Sequence, residues 1–227
     1  MRVAPALWAY LAFSRRAAGY GTRLLERRKA EGRESAERLA ERKGEASVAR
    51  PEGTLVWLHA ASVGESLSLL EVIKRLGETA PDLHFLITTG TVTSAEILAA
   101  RLPPRTIHQF VPIDVRAFVR DFLDHWKPDL AIWTESEFWP ALILETHSRG
   151  IPMLLLNARI SASSARRWRW LPGAARSLMA CFTAVQAQDD VTAATRAILG
   201  LDASPDATPD ASVATDATDA TNRAAAQ

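Results

Sequence analysis

Residues 54–89 read TLVWLHAASVGESLSLLEVIKRLGETAPDLHFLITT, and their reading decides the fold. Thr54–His59 is a short β-rich run. From Ser66 to Leu76 the apolar residues Leu67, Leu69, Leu70, Val72, Ile73 and Leu76 recur at helical spacing, and Leu83–Thr89 is again β-rich. Strand, helix, strand over this length predicts a βαβ unit with parallel strands. The same alternation continues outward. Gly90 precedes a helix over about 93–102, His108–Ile113 is a weaker strand, and a helix follows from Asp114 to Trp126. Asp129–Thr134 is a strand, Pro140 suits the first turn of a helix running to about Arg149, and Gly150 ends it. Ile151–Leu156 and Phe182–Gln188 are further strands, with a last helix over 189–199. The pattern predicts an α/β domain over 51–200, with a single Rossmann-like parallel sheet. Strands such as Met153–Leu156 are apolar throughout, which suits burial on both faces. Ligands of such sheets bind at the carboxyl ends of the strands.

Composition fits this domain. Apolar residues make up 48% of the 227, enough for a core, and charged residues 23%. One cysteine, Cys181, excludes an internal disulfide framework and a cysteine-based zinc site. The net charge of +1 gives no global field toward nucleic acid, and no nucleic-acid partner is expected. The charge is uneven, however. Residues 1–50 carry 12 Lys and Arg against 6 Glu, whereas the remainder carries 15 against 20 acids.

The arm over residues 1–50 reads as a membrane-associating helix and a basic connector. Val3–Phe13 is apolar, interrupted only by Pro5, and Arg15 and Arg16 follow it. A spanning helix needs about 20 apolar residues, so this run is too short to cross a bilayer. No small-residue cleavage site follows it, which disfavours a secretion signal. The stretch suits an interfacial anchor, with Trp8, Tyr10 and Phe13 at headgroup depth and the arginines on anionic phosphates. A core helix followed by a solvated charged one is the competing reading. Leu24–Glu45 is dense in Glu/Arg pairs and reads as a solvated helix or mobile connector. At the other end, residues 201–227 repeat Asp-Ala-Thr/Ser with few large apolar side chains, and a disordered tail is expected there.

Three constellations fall at predicted strand ends. His59-Ala-Ala-Ser-Val-Gly-Glu65 joins strand to helix, with small residues that allow close approach and a helix start that favours anions. Glu65 there is either a functional carboxylate or an ordinary first-turn acid. In Thr134-Glu-Ser-Glu-Phe-Trp-Pro140, Glu135 and Glu137 share one face of an extended strand end. They suit acid/base work or a cation, or else capping of the helix at Pro140. Asn157-Ala-Arg-Ile-Ser161 is followed by Arg166, Arg167, Arg169 and Arg176 with Trp168 and Trp170 between, a patch suited to phosphates or a solvated basic helix.

These stretches, in this order, together with Thr89-Gly-Thr-Val-Thr-Ser94, resemble the N-terminal half of 3-deoxy-D-manno-octulosonic acid (Kdo) transferases, over roughly residues 1–200. The resemblance implies the N-terminal half of a GT-B glycosyltransferase fold. It implies inverting transfer of Kdo from CMP-Kdo to a lipid A precursor in lipopolysaccharide core synthesis, at the cytoplasmic face of the bacterial inner membrane. By the same resemblance Glu65 is the general base and Glu135 supports the transition state. Ser62, Gly64, Glu137, Asn157 and Arg159 are expected on the acceptor, with Arg166 and Arg167 assigned to its phosphates from charge alone. No cofactor or metal is implied, and CMP-Kdo is a partner only where a donor domain is supplied. The likeness stops near Gly200, so the chain alone is expected not to transfer Kdo. A non-catalytic, membrane-associated module holding lipid A precursor is the alternative. A hydrolase with Ser62 on an Ala60-Ala-Ser-Val-Gly64 elbow needs a late histidine, and none follows His147.

Overall fold

The computed structural model describes residues 4–134, 138–158 and 172–187. Six strands form one sheet: β1 Leu55–Ala60, β2 His84–Thr89, β3 Thr106–Phe110, β4 Leu130–Thr134, β5 Met153–Ala158 and β6 Ala184–Ala187. All pairings are parallel, in the order β3-β2-β1-β4-β5-β6. The α-helices among the described residues are α1 Pro5–Arg16, α2 Ala18–Ala30, α3 Val63–Thr79, α4 Val92–Ala99, α5 Arg116–Trp126, α6 Pro140–Ser148 and α7 Pro172–Met179. This is the α/β architecture of the N-terminal half of a GT-B fold. The expected disordered tail and the helix over 189–199 lie outside the described residues.

Side-chain alternation splits the core between the two faces of the sheet. Val56, Leu58, Phe85, Ile87 and Ile132 pack with Leu69 and Ile73 of α3 and Leu98 of α4. Trp57, Leu86, Trp133 and Leu155 pack with α5, α6 and α7, and with Leu7 and Leu11 of α1. The chain builds outward from β1 to β3, then crosses back to β4 beside β1 and builds the other way. The reversal falls between β1 and β4, and open α/β sheets bind ligands beyond the carboxyl ends of the strands at such a point.

The arm is more integrated than its composition suggests. Tyr10 donates from its hydroxyl to Asp114 Oδ2 at 2.7 Å, and Ser14 Oγ donates to the Asp114 carbonyl at 3.0 Å. Burial pushes Asp114 above the usual carboxylate range despite hydrogen bonds from Tyr10, Ala141 and Leu142, and it pushes the Tyr10 hydroxyl up as well. The stretch read as a solvated or mobile connector is instead partly buried. Only residues to Ala30 are α-helical, and Leu39–Lys43 is a 3-10 turn in which Leu39, Glu41 and Arg42 are buried. The pairing keeps helical spacing in part, as in Arg27–Glu31, and departs from it at Glu34. Glu34 meets Arg28 and Arg42, while Arg38 meets Glu41.

This turn covers the open side of the edge strand β3. Arg38 Nη2 donates to the His108 carbonyl at 3.0 Å, and Glu41 Oε2 accepts from Phe110 N–H at 2.8 Å. Those are ladder groups that an edge strand otherwise leaves unpaired. Gly44 ends the turn with φ of 87°, and a Cβ there would lie 2.0 Å from the Phe118 carbonyl oxygen. Only glycine fits so close an approach at that φ.

Candidate active site at the carboxyl ends of β1 and β4

Ser62 caps α3. Its backbone is extended, with φ −123° and ψ 166°. That conformation places Oγ to accept from Glu65 N–H at 3.3 Å, a common N-cap contact. The Glu65 side chain folds back over the same turn. Oε1 accepts from the Ser62 hydroxyl at 2.8 Å and Oε2 from Ala61 N–H at 2.8 Å. Thr134, at the end of β4, brings its hydroxyl 3.2 Å from Glu65 Oε2. The same hydroxyl lies 3.1 Å from the His59 carbonyl, and it has one proton for the two acceptors.

Glu65 is 7% exposed, so it is buried, but its surroundings are polar and at the carboxyl end of the sheet. A carboxylate has about four lone-pair positions. Among the described residues three donors at most are engaged here, which leaves one position open, or two when Thr134 turns to His59. Beside it, Gly64 is exposed, and a Cβ on it would meet nothing within 4 Å. That is open space next to a helix start, whose free N–H groups suit an anionic or hydroxyl-bearing ligand. α4 begins in the same layer with a cap of its own: Thr91 Oγ1 accepts from Ser94 N–H at 3.2 Å.

His59 is a hydrogen-bonded core residue. Its Nδ1 lies 3.0 Å from Thr88 Oγ1, which also accepts from Trp57 Nε1–H at 2.9 Å. Burial pushes its pKa down to about 4, so the ring is neutral near pH 7. The Ser62 hydroxyl is engaged by Glu65, and no histidine is bonded to it among the described residues, which gives the hydrolase elbow no support.

Of the other expected site residues, Asn157 is placed only by backbone, in β5 beside β4. Glu135, Glu137, Arg159, Arg166 and Arg167 lie outside the described residues. Asp114 takes the N–H groups of Ala141 and Leu142 at 3.0 and 2.9 Å, capping α6 from 27 residues away. Sequence reading missed Asp114 and the contact made by Thr134. Both depend on which strands are neighbours, and local spacing does not record that. Among the described residues, no group of three or more His, Cys, Asp or Glu is placed to hold a metal.

The family described as 3-Deoxy-D-manno-octulosonic-acid transferase (kdotransferase) matches residues 36–210. The chain is 49% identical over 124 residues to the 3-deoxy-D-manno-octulosonic acid transferase of Rickettsia felis, covering 55% of this chain and 26% of that protein. It is 50% identical over 115 residues to the Rickettsia typhi protein of the same name, covering 51% of this chain and 25% of that protein. With that of Haemophilus influenzae it shares 34% identity over 167 residues, covering 72% of this chain and 39% of that protein. The chain therefore spans roughly a quarter to two fifths of the length of these relatives. The match spans most of the chain, including the whole six-stranded sheet: the chain belongs to the 3-deoxy-D-manno-octulosonic-acid transferase family.

Proposed function

We propose that this chain forms the acceptor side of a Kdo transfer from CMP-Kdo to a lipid A precursor, with Glu65 as general base. The observation that carries the reading is the Glu65 carboxylate, fixed by Ala61 N–H, Ser62 and Thr134 at the carboxyl ends of β1 and β4, with a lone pair left over by the described residues beside the open space at Gly64. An acceptor hydroxyl donates its hydrogen bond to Glu65 and passes it the proton. The hydroxyl oxygen then attacks the anomeric carbon of Kdo from the face opposite the cytidylate, the C–O bond to the phosphate breaks, and configuration inverts. A positioned base of this kind contributes about 10²–10⁴-fold.

Glu135, directly after β4, is assigned to support of the developing charge. Glu137, Asn157 and Arg159 join Ser62 and Gly64 on the acceptor, and Arg166 and Arg167 meet its phosphates. The donor side is assigned to the portion of the relatives outside the match. CMP-Kdo carries its own leaving group, so the proposal gives the reaction no resident cofactor. The reading places the chain peripherally at the cytoplasmic face of the bacterial inner membrane. No helix among the described residues is long and apolar enough to cross a membrane. The exposed side of α1 (Pro5, Ala6, Trp8, Ala9, Ala12 and Phe13) is wholly apolar, with Arg15 and Arg16 at its end.

The test is transfer of Kdo from CMP-Kdo to lipid A precursor by the chain together with the C-terminal portion of a curated relative. Glu65→Gln is expected to abolish turnover while acceptor binding persists. Wild-type turnover in that variant removes Glu65 from its role. Acceptor binding with no transfer under any pairing leaves a binding module instead.

A further inference from the structure

A cavity of about 320 Å³ lies between α1, α2 and the loop before α5, on the α5 and α6 side of the sheet and away from Glu65. Tyr10, Phe13, Tyr20, Leu24, Ile113 and Trp139 contribute to its wall. Most of its polar wall groups already have partners. Tyr10 and Ser14 bond to Asp114, and Arg28 and Arg42 are ion-paired with Glu34. The remaining surface suits an apolar occupant.

Two wall residues, Phe13 and Tyr20, are also 67% exposed, so they stand at the mouth. Phe13 joins that mouth to the apolar face of α1, where Trp8 is 59% exposed. Exposed apolar surface rimmed by cations marks a membrane-facing site. On α2, Arg23 and Arg27 follow Tyr20 at helical spacing and are exposed. Residues 5–30 carry six Lys and Arg against one Glu. The space holds about ten methylene-sized groups at roughly 30 Å³ each.

We propose that the cavity between α1 and α2 takes one acyl chain of an anionic membrane phospholipid, with its headgroup on the α2 arginines. The inference rests on the reading of peripheral membrane association given above and adds a specific lipid site to it. A lipid seated there would hold the domain by more than surface adhesion, at a fixed orientation to the bilayer.

The experiment uses the 227-residue chain and vesicles of phosphatidylglycerol and phosphatidylcholine. A phospholipid with a diazirine midway along one acyl chain is included. Vesicles are floated, irradiated, and the labelled peptides mapped. The expected result is flotation with label on Leu24, Ile113 or Trp139, and loss of that label in Leu24→Trp, which fills the cavity, while Trp8 is still labelled. Should that variant misfold, the wild-type map decides alone. Flotation with label confined to Trp8 and its neighbours on the open face of α1 overturns the cavity site and leaves membrane association standing. Failure of the wild-type chain to float overturns both.

Discussion

Thr134 and Glu65, 69 residues apart in the chain, meet at 3.2 Å because β4 and β1 are neighbours and α3 starts where β1 ends. The contact couples the candidate base to a hydroxyl that can turn away from it. Thr134→Val is therefore expected to keep the fold and to lower the turnover of Kdo transfer by about 2–10-fold, the usual range for one lost hydrogen bond. Thr134→Ser should restore most of it. Steady-state kinetics with separate kcat and KM on the three proteins, each paired with the C-terminal portion of the same curated relative, checks this. Equal turnover in all three would show that the hydroxyl plays no part.

Gly64 offers a sharper separation of fold from function. A methyl added there meets no protein atom within 4 Å, and the backbone needs no positive φ. Gly64→Ala should leave unfolding free energy within about 1 kcal/mol of the parent. Larger residues at the same place should progressively weaken acceptor binding. Denaturant melts alongside acceptor titrations of the Ala, Val and Phe variants make the comparison. Undiminished binding in the Phe variant would mean that the acceptor lies elsewhere.

Asp114 holds three donors from two helices: Tyr10, Ala141 and Leu142. Asp114→Ala removes a cap and leaves buried N–H groups unpaired, with an expected cost of about 1–3 kcal/mol. Thermal melts should show Tm falling by several degrees for a chain of this size. Hydrogen exchange should show the loss concentrated in α1 and α6. A uniform loss across the domain would contradict the local role.

One buried histidine, His59, and one half-buried, His108, make stability depend on pH. Burial pushes His59 and His108 down to about 4, and for His108 the Arg38 guanidinium adds to it. The unfolded chain takes up those protons near pH 6.5 while the folded chain resists them. Their contribution is therefore fully present above that pH and is lost as pH falls from about 6.5 toward 4. Between pH 7.5 and 5 each should cost roughly 2 kcal/mol. Urea melts across that range should show the fall, and His59→Phe should flatten it by about half. A variant with the parent's full pH slope would exclude His59 as a source.

Much of the fold was legible because helical and strand periodicities alternate cleanly from Thr54 to Leu156. The position of Glu65 at a helix start next to a strand end followed from that alternation alone. The Thr134 contact did not, since it requires β4 to sit against β1, and local pattern says nothing of strand order. Asp114 read as the start of α5, yet its carboxylate serves α6. The short helix α7 was read only as the alternative of a basic helix through Arg176, without bounds, because Gly173 lies in its first turn and a run of arginines precedes it. Charge density misled most between residues 31 and 45. A buried ion pair such as Glu34 with Arg42 has the same one-dimensional signature as a solvated one.

The charged turn at Leu39–Lys43 also bears on how this protein can be handled. A version begun at residue 51, the boundary suggested by composition, would strip Arg38 and Glu41 from β3 and bare its hydrogen-bonding rim. Such a fragment would tend to pair rim to rim with its own copies. Soluble expression of the sheet domain is therefore expected to depend on keeping a segment that lies apart from the candidate site.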